Sequence, residues 1–241
     1  MTVSDLGRTP LTIKSTIESF LKGLLPIGLY KAIRLLGKEV TLYRYHRAGV
    51  KKARVYADRN GLRLNIGCGP NYKEGWVNID LSSKADLSLD VRERIPLPDG
   101  SAMIIYSEHF FEHLDYPDEA KHFSRESFRL LEPNGLFRVG IPDTRWPLLD
   151  YAGVGDGRWL RANETEWWHP EWCNTPMDYI NYHFRQDTEH RYAYDFETIE
   201  NVLREAGFAE VNQSEFDPAL DAKSRELGTL YVNARKPPAA V

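Results

Sequence analysis

A short apolar strand that runs straight into a Gly-x-Gly turn constrains this chain more than any other feature. Leu64 to Pro70 read Leu-Asn-Ile-Gly-Cys-Gly-Pro, and Val77 to Asp80 read Val-Asn-Ile-Asp. Two residues without side chains let a ligand approach the main chain closely. A carboxylate at the tip of the next strand can take both hydroxyls of a ribose. The pair points to an adenosine-containing ligand. A dinucleotide motif would carry a third glycine where Tyr72 stands, and would space its acidic residue about 20 positions on. Only about a dozen residues separate Gly67 from Asp80. A pyrophosphate site is therefore poorly made, and a ligand without phosphates, S-adenosylmethionine, fits better.

Beyond this turn, strands and helices alternate. Leu62–Ile66, Trp76–Asp80 and the short Asp86–Asp90 read as the first three strands. Ala102–Tyr106 is a continuous apolar run, as expected for a strand covered on both faces. Asp118–Leu131 has helical periodicity and is stopped by Pro133-Asn134-Gly135. Leu136–Ile141 is the next strand, Phe196–Ala206 a helix, and Ala209–Phe216 and Thr229–Ala234 the closing strands. Such alternation implies an α/β fold with a mostly parallel sheet and right-handed crossovers.

At this point the run from Leu64 to Asp143 resembles a class I S-adenosylmethionine-dependent methyltransferase. It is most similar to the type 11-like members associated with glycan and surface polysaccharide synthesis. The residues that carry the likeness are the Gly67-Cys68-Gly69 turn, Asp80, Asp90-Val91, Ser107-Glu108-His109, Glu112-His113-Leu114 and Leu130 to Leu136. The resemblance implies a Rossmann-like fold with a seven-stranded sheet. It also implies a donor site of Asn65, Gly67, Gly69, Asp80, Leu81, Asp90, Val91, Ser107 and Glu108, with Asp90-Val91 at the adenine. Asp90 reads equally as a helix N-cap.

Methyl transfer is an in-line displacement on an already activated donor, so the protein mainly aligns two reactants. A hydroxyl nucleophile also needs a base, and histidine suits neutral pH. His109, after the fourth strand, is the first candidate. His190 is a second, and Asp143 after Ile141-Pro142 can orient the base or bind an acceptor hydroxyl. His113, one helical turn past His109, reads as a packing or capping residue. His183, Asp187 and His190 stand at i, i+4 and i+7. On one helix they would form either a polar stripe or a divalent-metal site. A metal is not needed if His109 or His190 acts as base.

The segment from about 143 to 194 is too long for a plain connection. It holds Trp146, Trp159, Trp167, Trp168 and Trp172 among tyrosines and carboxylates. Aromatic faces beside hydrogen-bonding groups suit sugars. It reads as an acceptor lid with Trp146, Tyr151, Trp168, His169 and Tyr194 as binding residues, or as a local aromatic core. Gly153, Gly155 and Gly157 would act as hinges.

Residues 1–63 carry thirteen Lys/Arg against four Asp/Glu, a net of +9, while the remainder carries a net of −13. Leu29, Ile33, Leu36, Val40 and Tyr43 fall at helical spacing, with Lys31, Arg34 and Lys38 off that stripe. This predicts an N-terminal helical cap over residues 1–60, followed by the methyltransferase domain over 61–241. The cap could rest on the core, touch an anionic membrane, or reach a second copy in a homodimer. Two cysteines and no signal-peptide pattern predict a cytoplasmic protein; membrane contact through the basic helix would make it peripheral at the inner membrane face. The acidic body argues against nucleic acid. The reading that unites these features is O-methylation of a sugar, glycan or glycolipid hydroxyl. Methylation of a small natural product and a non-catalytic donor-binding scaffold subunit are the alternatives, and Tyr72 disfavours a nicotinamide oxidoreductase.

Overall fold

The computed structural model describes residues 23–165 and 169–239. The chain divides into two units, residues 1–44 and 45–241. Helix α1 (Ile27–Ala53) runs through that division and ends in a 3-10 turn, Arg54–Tyr56. Within the larger unit, Gly49 lets α1 approach the sheet. A Cβ there would lie 2.2 Å from the carbonyl oxygen of Ser88. No helix among the described residues is long and apolar enough to cross a membrane.

Seven strands form one sheet: β1 (Leu62–Ile66), β2 (Val77–Asp80), β3 (Leu87–Ser88), β4 (Ala102–Glu108), β5 (Leu131–Pro142), β6 (Glu210–Ser214) and β7 (Thr229–Arg235). Their order is β3-β2-β1-β4-β5-β7-β6, with β7 antiparallel to both neighbours and the rest parallel. This is a mostly parallel, Rossmann-like sheet with one antiparallel strand near its edge. Leu64, Ile66, Ile79, Ile105, Phe137, Val139 and Val232 are fully buried in it. Helices α2 (Asp118–Leu130) and α6 (Phe196–Glu205) pack on it through Ala120, Phe123 and Leu130, and through Ile199, Val202 and Leu203. Those spacings are the apolar stripes of amphipathic helices. Strand β5 starts earlier than the sequence suggests. Leu131 already pairs with Ala102, and the Pro133-Asn134-Gly135 turn is a bulge within the strand, with Asn134 at φ +64°.

Residues 143–194 fold into helices α3 (Arg145–Tyr151), α4 (Arg158–Thr165) and α5 (Pro176–Arg185). Both ends of this insertion meet at one point. Thr144 donates from its amide and its hydroxyl to the carbonyl of Tyr194, at 3.3 and 2.6 Å. The glycine run is not a hinge. It wraps around buried Asp150, whose carboxylate accepts from the amides of Gly157 (2.9 Å) and Trp159 (2.8 Å) and so caps α4. A Cβ at Gly155 would fall 2.0 Å from Asp150 Oδ1. Gly155 is there because the loop passes so close to the carboxylate, and Gly153 and Gly157 take the left-handed φ of +73° and +71° that favours glycine.

Candidate active site

The donor end of the sheet lies at the carboxyl tips of β1, β2 and β4, where open α/β sheets hold their ligands. Gly67 and Gly69 have φ of +70° and +49°, left-handed conformations that favour glycine. A Cβ on Gly67 would sit 2.2 Å from Cγ of Phe110. A Cβ on Gly69 would meet nothing within 4 Å, so the main chain there faces open space. The Gly69 amide donates to Asp80 Oδ2 at 3.0 Å, and the Ser82 amide to Asp80 Oδ1 at 2.8 Å. Asp80 therefore shapes the turn and still holds lone pairs for ribose hydroxyls. Bare backbone beside a carboxylate at a strand tip fits S-adenosylmethionine. Leu81 follows, half-buried. Between the glycines, burial first and then Asp80 and Asp86 push the Cys68 thiol up to about 12, so it is inert as a nucleophile.

Three other expected donor residues, Asn65, Asp90 and Glu108, already have protein partners. Asn65 is buried, and its amide nitrogen donates to the Asn71 carbonyl and to Asn78 Oδ1, both at 2.9 Å, so it braces the turn. Asp90 is no helix cap. Its carboxylate takes the amide and guanidinium of Arg92, which hold it below the usual carboxylate range although burial opposes this. Val91 is buried. Glu108 turns towards β7, where its Oε1 accepts from the Ala222 amide and the Tyr231 hydroxyl, each at 3.2 Å. Ser107 is fully buried, and its hydroxyl has no partner among the described residues.

His109 has a backbone φ of +50°, rare for a residue with a side chain. Its amide donates to the Gly140 carbonyl at 2.8 Å. Its Nε2 lies 2.8 Å from Thr229 Oγ1, and the Thr229 hydroxyl donates to the Arg225 carbonyl at 2.6 Å. Thr229 must therefore accept from His109, which places the imidazole proton on Nε2. Burial holds this imidazole well below its ordinary value, with the positive charge of Arg225 adding to the effect. His109 is thus neutral near pH 7. Its Nδ1 faces Glu112 Oε1 at 3.7 Å. Glu112 sits in a 3-10 turn (Phe111–His113), and burial pushes its carboxyl up to about 8.

His190 is mostly buried behind the same carboxylate. Burial, then His113, lowers it to about 4. The proposed metal set of His183, Asp187 and His190 is not brought together. Helix α5 ends at Arg185, and Gln186, Asp187 and Thr188 all take positive φ, so the i, i+4, i+7 face does not exist. His183 instead donates from Nε2 to the Asp143 carbonyl at 3.2 Å, and burial lowers it to about 4.

A cleft of about 370 Å³ opens between the insertion and the start of β7, lined by Asp143, Arg145, Trp146, Leu149, Arg158, Leu227, Gly228 and Thr229. Asp143 Oδ1 accepts from the amides of Arg145 (2.9 Å) and Trp146 (3.4 Å), fixing the carboxylate at the cleft wall. The Arg158 guanidinium lies 5.8 Å from the Trp146 ring centre. Of the expected acceptor residues, Trp146 is in the cleft. Tyr194 is not: it is 1% exposed and packs edge-on against Phe111, because it closes the neck of the insertion. Tyr151 is exposed, and His169 packs at a tilt against Tyr179 and edge-on against Tyr182. Neither lines this cleft. Trp168 lies outside the described residues. Sequence reasoning missed Arg145, Arg158 and Thr229. Thr229 could have been found only from the register that sets it opposite Pro142, next to Asp143.

Residues 30–139 match a family described as "Methyltransferase domain". No curated protein matches significantly. Among solved structures, the chain is similar to a SAM-dependent methyltransferase from Archaeoglobus fulgidus, at 16% identity and a TM-score of 0.48, covering 82% of this chain and 94% of that one. A SAM-dependent methyltransferase from Methanosarcina mazei is similar at 15% identity and a TM-score of 0.47, covering 76% and 96%. A putative methyltransferase of Haloferax volcanii, solved in complex with the Trm112 activator, is similar at 16% identity and a TM-score of 0.45, covering 83% and 94%.

Proposed function

The chain being an S-adenosylmethionine-dependent methyltransferase, we propose that it methylates a hydroxyl of a sugar or glycan carrying an anionic group such as a phosphate or lipid phosphate. The observation that carries this reading is the composition of the cleft beside His109. An indole face, a fixed carboxylate and two guanidiniums line it. The indole suits the C–H face of a pyranose, Asp143 suits its hydroxyls, and Arg145 and Arg158 suit a phosphate.

The donor's adenosine rests against the Gly67–Gly69 main chain, with its ribose hydroxyls on Asp80. The donor supplies a methyl group on a positively charged sulfur. The acceptor oxygen takes that methyl, the carbon–sulfur bond breaks towards sulfur, and S-adenosylhomocysteine leaves as a neutral thioether. Asp143 accepts the hydrogen bond of the acceptor hydroxyl and receives its proton. His109 positions the cleft wall through Thr229, and His190 lies behind it. The basic stretch before residue 63 would bring the protein to an anionic surface that bears the acceptor.

The test is S-adenosylhomocysteine release over a panel of sugars, sugar phosphates and glycolipids. Turnover with an anionic sugar is expected. In Trp146→Ala the acceptor KM should rise about tenfold or more with donor affinity unchanged, the scale of losing one stacked contact. Turnover confined to apolar aromatic acceptors would overturn the sugar reading. Donor binding without turnover on any acceptor would favour a scaffold subunit.

A further inference from the structure

We propose that Glu112, His113 and His190 form a binding site for one divalent transition ion of the zinc class, set beside His109. Glu112 is 2% exposed, and neither of its carboxylate oxygens has a hydrogen-bond partner among the described residues. A buried acceptor left this way is costly unless something positive meets it.

The groups around the carboxylate narrow what it can bind. His113 Nδ1 lies 3.1 Å from the Glu189 carbonyl, and His190 Nδ1 lies 2.9 Å from the His183 carbonyl. A carbonyl only accepts, so both protons sit on Nδ1 and both Nε2 atoms carry lone pairs. Those Nε2 atoms face Glu112 Oε1 at 3.9 and 3.8 Å. His109 brings a third lone pair, on Nδ1, to the same oxygen at 3.7 Å. Lone pairs thus converge with no hydrogen between them. A proton on Glu112 would satisfy one nitrogen and leave the others opposed. A cation at their common centre satisfies all of them.

The geometry is near what such an ion needs. The ligand atoms of Glu112, His113 and His190 lie within 4.8 Å of one another. Zinc bonds of about 2.0–2.2 Å set ligand–ligand edges of roughly 3.4 Å, so each imidazole nitrogen closes on Glu112 by about half an ångström. Each imidazole already donates its far N–H to a main-chain carbonyl, the outer-shell contact that fixes ring and tautomer in metal sites. Two imidazoles and one carboxylate, with no thiolate, favour zinc or ferrous-type ions over magnesium or calcium. The His113 side chain is 31% exposed, which gives an ion a route in. The site rests on side chains from the turn after β4 and the end of the insertion, independently of how the acceptor reading fares.

The experiment uses the full chain, stripped with chelator and titrated with Co²⁺ and then Zn²⁺. One equivalent of Co²⁺ should bind with a visible ligand-field band, and Zn²⁺ should displace it. His113→Gln and His190→Gln should each weaken zinc binding by about tenfold or more, while Cys173→Ser leaves it intact. Glu112→Gln should do the same. If that variant fails to fold, the half-exposed His113→Gln, checked by circular dichroism, decides alone. No stoichiometric uptake by the folded protein, displacement of Co²⁺ by millimolar Mg²⁺, or unchanged affinity in both histidine variants would overturn the assignment.

Discussion

The two ends of the active site are built in opposite ways. The donor end is made of main chain: two left-handed glycines, and one carboxylate that takes the amides of Gly69 and Ser82. The proposed acceptor end is made mainly of side chains on an insertion with its own buried centre, where Trp159 is fully buried and meets His183 edge-on. The first is fixed by one continuous stretch, residues 67–82. The second is fixed by contacts between positions far apart in sequence. The difference implies that each end can be damaged while the other survives.

The largest test of that separation is Trp159→Ala. Emptying a fully buried indole site costs about 3–5 kcal/mol, and at about 2–4 °C per kcal/mol the melting temperature should fall steeply. Acceptor turnover should be lost while S-adenosylhomocysteine affinity, measured by calorimetry well below the melting temperature, stays within about twofold. A parallel loss of donor affinity would break the comparison.

Gly67→Ala probes the other end. The left-handed backbone adds about 1–2 kcal/mol for a residue with a Cβ, and the crowding against Phe110 about 1–3 kcal/mol more. Donor binding should disappear, while the near-ultraviolet signal of the insertion's aromatic residues remains. Changed aromatic dichroism would show that the ends are coupled. Asp80→Ala should follow, weakening S-adenosylhomocysteine by about 10- to 100-fold, the scale of hydrogen bonds to a charged group. NADH should bind neither form. Asp150→Ala should be mildest, at about 0.5–2 kcal/mol for a lost helix cap. Its effect should be confined to protease sensitivity around Gly153–Gly157. Cleavage near Gly69 instead would count against separability.

The same contrast explains what the sequence made legible. Strand order and the donor turn follow from local patterns: apolar runs, a Gly-x-Gly, and an acid at a strand tip. Asn65 could not be told from a ligand-binding residue, because its bonds to Asn71 and Asn78 depend on how the turn folds back. Tyr194 read as a binding aromatic because composition does not show that a residue closes a neck. His183, Asp187 and His190 read as one face because spacing cannot foresee three consecutive residues with positive φ. Glu112 stood beside His113 in a conspicuous motif. What singles it out is its unpartnered burial against His190, 78 positions away, and no local pattern records that.

The insertion leaves β5 at Thr144 and returns at Tyr194, whose carbonyl accepts from both the amide and the hydroxyl of Thr144. The sheet therefore meets everything between them as a plug with a narrow stem. Closing a stretch this long costs only slightly more than closing a short one, so its length and contents are free to drift while the stem is kept. A lineage could exchange the whole plug, and with it the choice of acceptor, and leave every strand and the methyl donor where they are.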